Sequence, residues 1–229
     1  MSLTARIYVS CIIAMGATSV IAGAVQWQSH DLVRFFCFCF TAMLCSTFKV
    51  SLPGITGTMS VNFLFILISI SDFSFAETSA IGCAATLVQC LWKTKSRPKL
   101  VQVLFSLASM AVAIAVSHNF YHSQWLESLR KYPALLLGLT SICFFITNTA
   151  QVAVVIALVE RKSVVKLWKE CYFWWLPYYL MGAAIATVIS MSTRSIGWYS
   201  SIVILPPIYI IYRSYRLYLG KLEDEKLHA

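Results

Sequence analysis

Residues Val61–Trp92 read VNFLFILISISDFSFAETSAIGCAATLVQCLW, and the way this stretch folds decides the architecture of the chain. A bilayer core takes about 20 apolar residues per helix, within a range of roughly 17 to 25. The stretch is too long for one straight span and barely long enough for two. Ser69, Ser71, Asp72, Ser74 and Glu77 interrupt its apolar pattern, which predicts two short helices turning near Asp72 to Glu77.

On either side the same ruler finds six further spans: Ile7 to Gln26, Leu32 to Phe48, Leu100 to Phe120, Ala134 to Val159, Leu176 to Thr193 and Trp198 to Leu219. The expected fold is an all-α, polytopic transmembrane helical bundle of about eight spans. If Val61–Trp92 instead forms one re-entrant hairpin, the count falls to six or seven. The bundle occupies residues 1–220, and residues 221–229 form a short cytoplasmic tail with the character of a truncated signalling helix. Arg6 and the small residues Ala22-Gly23-Ala24 imitate a cleavable signal, but the first span is read as retained.

Composition agrees with this reading. Of the 229 residues 59% are apolar and 12% charged, against about 25% charged in a soluble domain. Mean hydropathy is +0.75, so a soluble enzyme with a buried core is excluded. The net charge of +9 does not point to nucleic acid, because the basic residues lie in short loops between apolar runs, where the positive-inside rule accounts for them. With the amino terminus inside, the cytoplasmic side holds Arg6, Lys49, Lys93, Lys95, Arg97, Lys99, Arg161, Lys162, Lys166, Lys169, Arg213, Arg216, Lys221 and Lys226. Arg34, Arg130, Lys131 and Arg194 fall outside. Both termini are therefore expected in the cytoplasm, and the location expected is a bacterial inner membrane. Seven of the eight cysteines lie inside apolar runs and Cys171 lies in an interfacial one. They read as reduced small hydrophobes rather than a disulfide framework.

Polar residues inside apolar spans are the places to look for function, because an ionised group at the bilayer centre costs about 2.5 to 3.5 kcal/mol on insertion scales. Asp72 and Glu77 have two readings. Either both are solvated caps at a turn, or they pair with Arg34, at the outer end of the second span, in a polar site beneath the outer surface. Asn148 and Gln151, three apart near the middle of the sixth span, share a face and either bond between helices or line a cavity. The segment Lys49–Ser60 breaks the helical pattern most sharply. Pro53, Gly54 and Gly57 oppose a regular helix, while Thr56 and Thr58 offer hydroxyls to irregular backbone. Such backbone is tolerated at membrane depth only where protein or a cavity covers it. His118 and His122 are four apart, but no third ligand accompanies them, and no metal site is expected. Nothing in the sequence indicates a cofactor.

Arg161–Trp175 interleaves Lys162, Lys166 and Lys169 with Val164, Val165, Leu167, Trp168, Trp174 and Trp175. It reads either as a helix lying in the inner interface and binding anionic lipid headgroups, or as a plain positive-inside loop.

Two segments, FKVSLPGITGTMSVNF at Phe48–Phe63 and YRLYLGKLEDEK at Tyr215–Lys226, carry a family resemblance. The chain resembles the amino-terminal polytopic membrane regions of bacterial signalling proteins that continue into HD-GYP phosphohydrolase or GGDEF cyclase domains. The loop at Leu52–Ser60 followed by an apolar helix is more loosely similar to the S components of energy-coupling-factor transporters. The first resemblance implies a sensor whose ligand state passes to a cytoplasmic signalling partner or output domain. The second implies a substrate-binding transporter component, with a coupling partner. Neither a GYP nor a GGDEF string occurs, and His30-Asp31 is the only His-Asp pair, so cyclic-dinucleotide chemistry does not carry over. The function expected is a membrane sensor or ligand-binding input module, with the transporter component as the alternative. A lipid-modifying enzyme is a third reading, without a catalytic motif. The ligand is expected to be a small or lipid-like molecule in a cavity bounded by Leu52–Ser60, Asp72–Glu77 and Asn148–Gln151.

Overall fold

The computed structural model describes residues 3–25, 27, 31–51, 58–60, 62–92 and 98–197. The expected last span, Trp198 to Leu219, and the tail 221–229 lie outside them. In chain order the elements are α1 (Leu3–Val25), α2 (Leu32–Ser46), β1 (Lys49–Ser51), β2 (Thr58–Ser60), α3 (Asn62–Asp72), α4 (Phe75–Leu91), α5 (Leu100–Tyr121), a 3-10 helix (Gln124–Lys131), α6 (Pro133–Glu160), α7 (Val164–Cys171), a 3-10 turn (Phe173–Trp175) and α8 (Leu176–Ile196). Among the described residues four helices are long and apolar enough to cross a membrane: α1, α5, α6 and α8 over Leu176–Thr193. Helices α2, α3 and α4 are apolar but shorter.

Helix α3 organises the rest. Its 11 residues rise about 16 Å at 1.5 Å per residue, roughly half of a 30 Å hydrocarbon core. From Asn62 to Ile70 every residue is buried, and a helix apolar on all faces has to be enclosed on all faces. It is, with α2, α4, α5, α6 and α8 packed around it. Phe65, Ile66, Leu67 and Ile68 form the centre of the core with Phe38, Ile114, Phe144 and Phe145.

The chain reaches α3 through an antiparallel ribbon in which Lys49 faces Ser60 and Ser51 faces Thr58. Pairing β1 with β2 satisfies backbone groups that no helix ladder serves. It leaves α3 by a sharp break at Phe73-Ser74. The Ser74 hydroxyl accepts from the Glu77 N–H at 3.3 Å, and the Glu77 carboxylate accepts from the Ser74 N–H at 3.0 Å. This capping box starts α4. At the end of α3, Thr78 Oγ1 donates to the Ser69 carbonyl at 2.9 Å, and His122 Nε2 lies 3.1 Å from the Ile70 carbonyl. Ser74→Ala should cost about 1 kcal/mol, read as a lower midpoint of thermal unfolding in detergent; an unchanged midpoint would show that the cap does not support the break.

Arg34, Asp72, His122 and Pro133 gather at one end of the bundle, the ion-pair end. The ribbon, Gln102 and Glu160 lie towards the other, the ribbon end. Leu3, Ile7, Met15 and Ile21 of α1, Phe36 and Phe40 of α2, and Val188 and Met191 of α8 are exposed on the outside. Bare apolar surface of this extent is what a lipid bilayer covers. Gly16 brings α1 against α5, since a β-carbon there would meet the Ala108 backbone, and Gly182 of α8 makes room for the Phe63 ring.

Candidate functional site

Because α3 begins only half-way through the bundle, space is left beneath its first turn. A cavity of about 440 Å³ occupies it. The wall is built from Asn62 and Phe63 of α3, Thr86, Gln89 and Cys90 of α4, and Phe105, Ser106, Ser109 and Met110 of α5. Phe144 and Asn148 of α6 and Tyr179 of α8 close the far side. Pro98 and Gln102 stand at the ribbon end, where Gln102 is exposed, while Tyr179 is buried at the deep end. The volume falls in the usual range for small-molecule sites, about 300 to 1,000 Å³.

No lining side chain among the described residues is charged. Asn62 Nδ2 donates to Gln89 Oε1 at 3.3 Å, and Asn148 and Tyr179 both line the cavity. The Tyr179 ring sits 4.8 Å from Phe63 and 6.3 Å from Phe144, centre to centre. Thr86 Oγ1 and Ser109 Oγ are buried without a hydrogen-bond partner. Most helical hydroxyls in this chain return to their own backbone, as Thr140 does to Leu136 at 2.8 Å. Among the described residues those of Ser79, Thr86, Ser109 and Ser117 do not, and of these four those of Thr86 and Ser109 belong to residues that line the cavity.

At the ion-pair end, Arg34 Nη2 donates to Asp72 Oδ2 at 3.0 Å, with the Asp72 side chain only 6% exposed. Asp72 Oδ1 accepts from Ser71 at 2.7 Å and from Ser190 of α8 at 3.0 Å. The guanidinium carbon of Arg34 lies 4.6 Å from the centre of the Phe73 ring. The cluster therefore ties α2, α3 and α8 together. Glu77 does not join it; its carboxylate caps α4. The His118 ring lies 5.5 Å from Phe75, centre to centre, so both histidines pack at the α3–α4 corner. Among the described residues no three His, Cys, Asp or Glu side chains group as metal ligands.

The residues singled out from sequence thus separate. Asn148 lines the cavity. Gln151 turns away, donating to the Ser109 carbonyl at 3.3 Å and the Thr147 carbonyl at 2.9 Å. Arg34, Asp72 and Glu77 are not among the lining residues: Asp72 ends α3 where Asn62 begins it, about 16 Å away along the axis. Of the three segments expected to bound one cavity, Asn148 lines this one, Asp72–Glu77 does not, and Leu52–Ser60 falls largely outside the described residues. Pro53, Gly54, Thr56 and Gly57 lie outside the described residues, and Thr58 is placed only as a ribbon residue opposite Ser51. Sequence reasoning missed Asn62, Thr86, Gln89 and Ser109. The available signal was the pairing of polar residues three apart in apolar helices, Thr86 with Gln89 and Ser106 with Ser109.

In the Arg161–Trp175 strip, α6 stops at Arg161 in a left-handed conformation with φ 55°, and α7 follows. Leu167 is buried, and Trp168 Nε1 donates to Thr149 Oγ1 of α6 at 2.9 Å. Val165 and Phe173 remain exposed. A groove of about 460 Å³ between α6 and α7 carries Lys162 and Lys166 with Glu160 and Glu170. Lys162 Nζ lies 2.7 Å from Glu160 Oε2, and this hydrogen bond holds the Lys162 ammonium above its usual range.

No family model, curated protein or solved structure matches this chain.

Proposed function

We propose that this chain is a ligand-binding input module of the bacterial inner membrane, with eight spans and both termini cytoplasmic. It takes a small molecule into the cavity beneath α3 from the ribbon end, which is the cytoplasmic end by the distribution of Lys and Arg. The observation carrying this reading is the cavity of about 440 Å³ between α3, α4, α5, α6 and α8, whose described lining is polar in part and uncharged. Helix α8 supports a signalling role. It contributes Tyr179 to the cavity and Ser190 to the Asp72 cluster, so one rigid element touches both regions before the chain continues towards a cytoplasmic partner. A ligand shifts that element only as far as it binds one arrangement better than the other. On this reading the lysines of α7 contact anionic lipid headgroups.

A substrate-binding transporter component is favoured by one observation, the half-length α3 whose amino-terminal end meets the cavity. Discontinuous helices of this kind build binding sites near the midplane of many transporters.

Cys90 provides the test, because it lines the cavity and is partly buried. In sealed vesicles, a small, water-soluble, permanently charged thiol reagent should modify Cys90 from the cytoplasmic side and not from the other. Peptide mapping separates it from the other cysteines. A Cys90 inert from both sides would remove the water-accessible cavity and the reading with it. Ligand accumulated inside vesicles, rather than bound one for one, would favour the transporter.

A further inference from the structure

We infer that the 3-10 helix Gln124–Lys131 is an anchor lying in the lipid headgroup layer at the ion-pair end, with the Trp125 indole at the level of the lipid ester groups and Arg130 and Lys131 on lipid phosphates. The anchor does not depend on what the cavity holds.

The helix joins α5 to α6, both long and apolar enough to cross a membrane. A short link between two spans leaves and re-enters the bilayer at one face, so its eight residues stay within reach of the headgroups. A 3-10 helix has three residues per turn, and side chains three apart eclipse one another. Leu126 and Leu129 share one face and are partly buried. Trp125, Ser128 and Lys131 share a second face, and Gln124, Glu127 and Arg130 the third; all six are exposed. Trp125 stands out at 93% exposure. An indole has an apolar body and one polar N–H, the combination that places Trp at membrane–water interfaces.

The occupant follows from continuity and charge. Exposed Tyr132 and Leu135 extend the lipid-facing surface of α6 up to this helix, so a protein partner would have to displace lipid that α6 already contacts. A second exposed indole, Trp27, stands at the same end, because Gly23 of α1 lies against Phe75 at the start of α4. Among the described residues neither Arg130 nor Lys131 forms an ion pair. Their charges are open to phosphate oxygens, two of which a guanidinium can hold at once.

The test uses the full chain in phosphatidylcholine vesicles. Subtracting the emission of Trp125→Phe, a change at a side chain that touches little protein, isolates Trp125 from the other tryptophans. Lipids brominated just below the headgroup should remove most of the Trp125 emission. Lipids brominated near the chain ends, and iodide in the water on both sides, should each remove little. Arg130→Gln combined with Lys131→Gln should shift the Trp125 emission to longer wavelength, as should vesicles of a phosphate-free galactolipid with the unaltered basic pair. Quenching by iodide and by neither lipid would place the helix in water. Protection from all three quenchers would place it under protein, a second copy included. Either result overturns the anchor. Stronger quenching from the chain ends would overturn the headgroup level, and an emission maximum unmoved by the double variant would overturn the phosphate contacts.

Discussion

Arg34→Ala should destabilise the folded chain by about 3 to 5 kcal/mol, the usual consequence of removing one partner from a buried ion pair, because it strands Asp72, whose side chain is 6% exposed. Asp72→Ala should cost less, since the Arg34 it strands is 22% exposed. Asp72→Ala also leaves the Ser71 and Ser190 hydroxyls without the acceptor they share. The double variant Arg34→Leu with Asp72→Leu should recover most of the loss, since no orphaned charge remains and apolar side chains of similar size often replace buried pairs at little cost. Arg34→Lys should fall between, because an ammonium keeps the charge but gives up the flat guanidinium that lies beside Phe73. Peptide-resolved alkylation of Cys45, fully buried in the core, reports unfolding during a thermal ramp. Single variants that expose Cys45 at the same temperature as the unaltered chain would show that the pair contributes nothing to holding α2, α3 and α8.

Gly16→Val should be the most damaging substitution at a helix crossing. A β-carbon at position 16 would fall on Ala108 Cα, a backbone atom that no rotamer change can move, so α1 has to part from α5. Overpacking of this kind costs about 1 to 3 kcal/mol or more, and close approach through small residues is a principal source of helix association in lipid. Gly138→Ala in α6 is the matched control. Nothing lies within 4 Å of its would-be β-carbon, and alanine improves helix propensity by up to about 1 kcal/mol, so its unfolding midpoint should hold or rise. Equal damage at both positions would mean that glycine flexibility, and not the crossing, is what matters.

The break between α3 and α4 was legible because Asp72, Ser74 and Glu77 interrupt an otherwise apolar run, and a capping box leaves a local signature in Ser74 and Glu77. The pairing of Arg34 with Asp72 was one of two open readings, since an isolated cation and an isolated acid in apolar surroundings have few other ways to be satisfied. The cavity was not legible. Its position depends on α3 stopping at half depth, and an all-apolar helix carries no periodicity to say which neighbours will surround it. Thr86 and Ser109 look like ordinary small residues, because the sequence does not reveal whether a helical hydroxyl returns to its own backbone. Asn148 and Gln151, three apart, lie about 60° apart around the helix; that angle is enough to send one into the cavity and the other between α5 and α6.

The brevity of α3 also constrains biogenesis. Eleven residues are too few for the translocon to release as a separate anchor, so α3 has to enter the lipid joined to α4 as one hairpin. Its aspartate then waits for Ser190, synthesised 118 positions later, before its coordination is complete.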